Sequence, residues 1–393
     1  MRPMLLICTL AVTLLMPSPG QAAEFVRVLI WEDAQRLDAS AKEGALIQFP
    51  NGAQHLYEGV IQIRLDDRTL VLNGKPVAVD WLMLRARGGD LTVRSRGGSR
   101  QGMAHAWRNL VLGGFLYVTV RDGNLVVVND IELEEYVFGV VPSEMNADWH
   151  VEALKVQAVT ARTYALYRRM TNGAHDYDLV ATTKDQVYRG RYGVNGRVRE
   201  AVRSTRGLVL TYQNAPILAA YSSTAAGPTE DARNVWSKAL PYLEGVECPF
   251  DSNSPHYQWT ASFRIQDLEV SLREQGVAVG TIASVTPFAY SRAGRVTKVR
   301  ILHSNGELIL RGEDLRRTVG YKVIRSTLFE VESVGREVVL SGRGYGHAVG
   351  LCQWGAKELA TLGYSYSAIL AYYYPETTLR DLRKVRLSAP HIP

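Results

Sequence analysis

Residues 133–167 read LEEYVFGVVPSEMNADWHVEALKVQAVTARTYALY, and the rest of the 393-residue chain is organised around them. An apolar run, 137–141, ends at Pro142, and a carboxylate, Glu144, follows in a short link before a helix. Residues 149–170 read as that helix. Ala153, Leu154, Ala158, Ala161 and Ala165 recur at three- and four-residue steps, with Lys155, Arg162 and Arg168 between them. Asp148 is the expected N-cap, since its side chain can accept from an unpaired N–H of the first turn. So many alanines on one face allow close approach of another element. The carboxylate at this mouth has two readings. It complements the helix dipole, or it is a general acid whose pKa is set by an enclosing pocket.

Length allows one large domain or two to three smaller ones. Residues 1–23 have the form of a secretory signal. Arg2 supplies the positive start, 4–16 is uncharged and apolar but too short to span a bilayer, and Gly20-Gln21-Ala22 offers small residues for cleavage. No later stretch is apolar enough for a membrane span, so the mature chain is expected to be soluble and extracytoplasmic. The formal charge of +6 is modest. No arginine-rich arm or RNA motif accompanies it, which argues against nucleic acid and leaves a wall polymer, an acidic lipid surface or a plain basic surface. Cys248 and Cys352 survive processing, and both a bridge and a free pair remain open. Cys248 and His256 offer too few ligands for zinc, so neither metal nor cofactor is expected.

The fold class expected is α+β: a β-rich amino-terminal region, 24–114, followed by a mixed α/β core, 115–380, with the central helix, and a tail, 381–393. Stretches 25–31, 59–65, 91–93, 115–120 and 125–128 alternate or are β-branched, and Asp122-Gly123 makes a hairpin turn. The Arg- and Gly-rich segment 85–108 reads as a solvated loop or exposed hairpin. A short helix at 198–205 precedes a hairpin, 208–212 with 217–221. Residues 260–335 read as a possible inserted α+β subdomain, with helices at 265–275 and 313–319 and a hairpin around Asn305-Gly306. Near the end, strand 338–340 leads into the loop Ser341-Gly342-Arg343-Gly344-Tyr345-Gly346-His347 and a helix at 353–362. A dinucleotide site is excluded by the glycine spacing and by the little chain that remains. Close backbone approach to a ligand, with His347 projected from the loop, fits better. Tyr372-Tyr373-Tyr374 reads as core and cleft wall.

The run L-E-E-Y-V-x-G-V-V-P-S-E-M followed by W-x-x-E-A-L-K-x-Q-A-V-x-A-R-T-Y-A resembles the SpoIID/LytB domain family, named for a sporulation protein and an amidase enhancer. Asp185-Gln186-Val187-Tyr188-Arg189-Gly190, the 221–230 segment YSSTAAGPTE and the His347 loop resemble further blocks of it. The likeness covers about 115–379 and extends more loosely back to Phe25. There are departures: Ser222 stands where relatives often have His, Ala226-Gly227 replaces Gly-Gly, Ala348 replaces Gly, and Cys352 a small polar residue. The resemblance implies peptidoglycan glycan strands as partner, with Glu144 as acid/base of a lytic transglycosylase. It implies substrate contacts from His347, Asp185, Tyr188, Arg189, Ser222, Ser223, Thr224 and Arg162. Two rivals stand beside this reading: a non-catalytic enhancer that binds a wall amidase, and a glycoside hydrolase using Asp185 or Glu230 as second carboxylate.

Overall fold

The computed structural model describes residues 23–96, 109–173, 176–385 and 387. Residues 1–22 of the expected signal sequence, residues 97–108 of the Arg/Gly-rich segment and the end of the tail lie outside these. Among the described residues no helix is long and apolar enough to cross a membrane.

The fold is α+β and its amino-terminal region is β-rich. Strand Phe25–Ala34 pairs antiparallel with Asn124–Glu132, shifting register at Trp31 and Ala34. It then continues past Gln35 into Arg36–Ser40, which belongs to a second sheet. That kink lets one chain feed two layers. The first sheet runs in the order Leu179–Val180, Phe25–Ala34, Asn124–Glu132, Phe115–Arg121, Trp81–Ala86, Ala45–Gln48, Gln54–Tyr57. The second contains Asn109–Leu112, Leu91–Arg96, Arg36–Ser40, Ile61–Asp66, Thr69–Leu72 and Lys75–Val77. Alternation explains the burial: in Ile61–Asp66, Ile61 and Ile63 face inward while Gln62 and Arg64 face out. Asp122 and Gly123 both have positive φ, 49° and 73°, and close the expected hairpin. The boundary expected near residue 114 falls inside the first sheet, because its central partners come from both sides of that point.

Eight helices occur among the described residues: α1 (Leu133–Glu144), α2 (Val151–Thr171), α3 (Gly196–Ser204), α4 (Ala232–Trp236), α5 (Ile265–Glu274), α6 (Gly312–Val319), α7 (Gln353–Thr361) and α8 (Tyr366–Tyr373). The apolar run before Pro142 is helical, with Glu134 and Glu135 in its acidic first turn and Pro142 inside its last. Glu144 therefore ends α1 and does not sit in a link. Helix α2 starts later than expected. Asn146 closes a turn by accepting from the Asp148 N–H, and His150 caps the helix. Ala153, Ala158, Ala161 and Ala165 are fully buried, so α2 is the central post, packed by α1, α3, α7, α8 and strand Leu208–Tyr212.

A second apolar cluster, running from Trp259 to Leu340, is built within residues 258–343. Its strands form two three-stranded sheets, and α5 and α6 pack on them. This lobe is tied to the main body by Arg295 of the lobe, whose guanidinium donates to the carbonyls of Ala225 and Pro228.

Candidate active site

Glu144 closes α1 at the point where three other segments converge. The loop 186–190 comes first. It lies hard against α1 because Gly139 has no side chain: a Cβ there would sit 2.5 Å from the Gly190 carbonyl and 2.6 Å from the Tyr188 ring. This approach brings the Val187 N–H onto Glu144 Oε1 at 2.5 Å. Strand Tyr221–Ser222 supplies the Tyr221 hydroxyl, and the start of α7 supplies Gln353; both hydrogen-bond with the Glu144 side chain. Gln353 Nε2 also donates to the Glu144 carbonyl (3.3 Å) and to Gln157 of α2 (3.2 Å).

Behind these groups runs a relay. Tyr136 donates to Gln186 (3.2 Å), and Gln186 Nε2 donates to the Tyr221 hydroxyl (3.1 Å). Glu144 as a residue is half-buried, and the protein around its carboxyl strips away most hydration. Desolvation pushes its pKa up to about 7, against the opposing pull of Val187, Tyr221 and Gln353. Oε1 accepts an N–H, so a proton on this carboxyl belongs on Oε2. An acid of this kind can both give a proton and take one back near neutral pH.

Trp354, next to Gln353 in the chain, belongs to an aromatic pair. Trp149 and Trp354 meet edge to face with centroids 5.1 Å apart, and Lys357 of α7 lies over the Trp354 ring. Both indoles remain partly exposed, as a sugar-stacking surface requires.

The residues expected to contact substrate fall into different places. His347 is in the glycine loop with its ring edge-on to Trp236, centroids 4.9 Å apart, and its Nδ1 accepts from the Val349 N–H. Burial, then the nearby positive charges of Arg316 and Arg295, push its pKa down to about 3, so it is neutral and not a proton donor near pH 7. A hydrogen bond to the Tyr221 backbone links it to the strand that carries Tyr221. Gly346, at φ +114°, makes this loop possible; a Cβ there would lie 2.4 Å from that of Ser222. Ser222 Oγ accepts from the Ala348 N–H at 3.1 Å. Ser223 is partly exposed, and its carbonyl accepts from the Trp354 N–H. Thr224 is fully buried and bonded to Ser254 at 2.6 Å.

Three of the expected contact residues are held in contacts within the fold. Arg162 has no exposed surface and forks onto Glu134 at 2.9 and 2.7 Å, with a further bond to the Leu208 carbonyl. It locks α2 to α1. Tyr188 is 1% exposed and donates to Asn129, so it is part of the packed interior. Asp185 accepts from Tyr164 and the Val180 N–H and pairs with Arg168. It pins the 180–190 loop to α2, with both oxygens engaged. Arg189 lies 3.4 Å over the Tyr192 ring. Glu230, the other carboxylate considered, accepts from Asp231, Asn234 and Ser291 and is 3% exposed. Gln186, Tyr221 and Gln353 were not singled out from sequence. They stand inside the blocks DQVYRG, YSST and QWGA, but uncharged side chains carry no ionisable signal.

The signature of the family described as stage II sporulation protein matches residues 121–212, which include α1, Glu144 and the 186–190 loop. A domain of unknown function matches 230–350, spanning the lobe and the His347 loop. An uncharacterized protein of Brachyspira hyodysenteriae is 35% identical over 274 residues, covering 70% of this chain and 73% of that protein. Stage II sporulation protein D of Bacillus subtilis is 35% identical over 272 residues, covering 65% of this chain and 76% of its own. An amidase enhancer of Bacillus subtilis is 34% identical over 289 residues, but only 40% of its length is matched.

Proposed function

The chain belongs to the SpoIID/LytB family, and from that premise we propose that it is an extracytoplasmic lytic transglycosylase cleaving the glycan strands of peptidoglycan. The observation that carries this reading is a single poised carboxylate. Glu144 has a pKa of about 7, whereas Asp185 and Glu230 are saturated by structural partners. Direct hydrolysis wants two carboxylates at a defined separation. Internal displacement needs one.

In that reaction Glu144 Oε2 protonates the glycosidic oxygen as the bond to C1 of N-acetylmuramic acid breaks. The freed carboxylate then takes the proton of the same sugar's C6 hydroxyl, and O6 closes on C1. The proton lost in the first step is regained in the second, and no water is consumed. Tyr221 and the Val187 N–H keep the carboxyl aimed, the Trp149–Trp354 wall supports a ring, and neutral His347 fixes the loop beside Tyr221.

A second reading is an activator of a wall amidase, favoured by the 34% identity with an amidase enhancer. One experiment separates the two. Full-length mature protein and Glu144→Gln are incubated with peptide-free glycan strands, with and without an amidase. Anhydro-ended products from wild type alone support the proposal. Intact strands together with a stimulated amidase support the activator.

A further inference from the structure

Behind the Ser222–Thr224 segment, three groups remote in sequence meet. Cys248, Asp251 and Cys352 are each at most 1% exposed, and one donor atom from each lies within 4.8 Å of the others. Cys352 Sγ is 3.2 Å from Asp251 Oδ2. The backbone N–H groups of Ala225 and Gly355 both point at that sulfur, at 3.4 Å each. Asp251 Oδ2 also accepts from the Ala226 N–H at 2.7 Å, while Oδ1 is buried with no hydrogen-bond partner. A carboxylate oxygen left bare in a dry interior is costly. The buried Arg295 lies near enough for both Asp251 and Cys352 to act on it electrostatically.

We propose that Cys248, Asp251 and Cys352 form a structural site for a divalent cation of the zinc class. Thiolate sulfur and carboxylate oxygen are zinc donors, at about 2.3 Å and about 2.0–2.2 Å. Such a tetrahedron keeps its donors about 3.5–3.8 Å apart, so these three need close by no more than about 1 Å. Loading replaces the two thiol protons, which leave to solvent, and Asp251 Oδ1 stands ready to chelate. Two thiolates, a carboxylate and a dication leave one negative charge, which Arg295 offsets. A Cys248–Cys352 disulfide would instead neutralise both sulfurs and leave Oδ1 bare. Cys352 caps α7, and the next residue, Gln353, holds the Glu144 carbonyl. The cation would thus staple the 248–251 loop to the helix that frames the carboxylate.

Full-length reduced protein, stripped with a chelator, is titrated with Co²⁺ and then Zn²⁺. The site predicts thiolate-to-cobalt charge-transfer bands saturating at one equivalent, displaced by zinc, and a thermal midpoint that rises with zinc. Asp251→Asn weakens binding by at least about tenfold, and Cys352→Ser abolishes the bands. Should the variants fold poorly, the wild-type spectrum and midpoint still decide. Absence of cobalt bands, no stoichiometric zinc by atomic emission, or a disulfide that persists in metal-free protein would overturn the site.

Discussion

A carboxyl group that must release a proton and recover it works best with a pKa near the surrounding pH. Glu144 gets there through burial opposed by three hydrogen bonds. The reaction begins from the protonated form, so kcat/KM is expected to fall as pH rises through about 7. Tyr221→Phe removes a bond that stabilises the charged form; the basic limb should move to higher pH and the rate drop about 10–100-fold, read from pH–rate profiles. Glu144→Gln should abolish cleavage. It should also change stability with a definite sign. The folded pKa of about 7 exceeds the unfolded value of 4.5, so the native state binds more protons between these values and the wild type loses stability as pH rises through that window. The glutamine variant escapes this loss. It is expected to be more stable than wild type at pH 8 by about 1–3 kcal/mol, discounted for partial solvent contact, and to show no such gain at pH 4. Urea unfolding at the two pH values checks it.

At the scale of elements, the site depends on how closely α1 receives the 186–190 loop. Gly139→Ala places a methyl group 2.5 Å from the Gly190 carbonyl, and the loop must move away. The expected cost is about 1–3 kcal/mol in stability with a larger fractional loss of cleavage, because Val187 leaves Glu144. Glu134→Gln should cost about 3–5 kcal/mol by stranding the buried Arg162, while the surviving folded protein keeps its KM. Much of this framework was legible in sequence: the alanine repeat marks α2, and Asp122-Gly123 marks its hairpin. Short strands such as Ala45–Gln48 and Lys75–Val77 were not, since three or four residues carry too little periodicity. Helix α1 was hidden by Pro142, which a last turn tolerates. Arg162 looked like a ligand binder because its partner Glu134 is 28 positions away. Burial, which turned Tyr188 and Asp185 into supports, is a property of the assembled fold.

For the whole molecule, the lobe 258–343 has its own core and is tied to the main body by polar contacts, among them Ser291 with Glu230 and Arg311 with the Val235 carbonyl. Arg295 holds the Ala225 and Pro228 carbonyls and stands 4.0 Å from Glu230. Arg295→Ala should cost about 3–5 kcal/mol and loosen the 222–230 loop, lowering cleavage as well; circular dichroism in urea and the glycan assay report the two effects. Two layers of sheet, a helical post and this lobe together carry one proposed acid, Glu144, and the partly exposed indole pair Trp149–Trp354. The most direct test is the mass of the products released from peptide-free glycan strands by the full-length chain. We predict muramic ends one water lighter than a reducing sugar, lost entirely in Glu144→Gln. Reducing ends, or undiminished cleavage by that variant, would contradict the account.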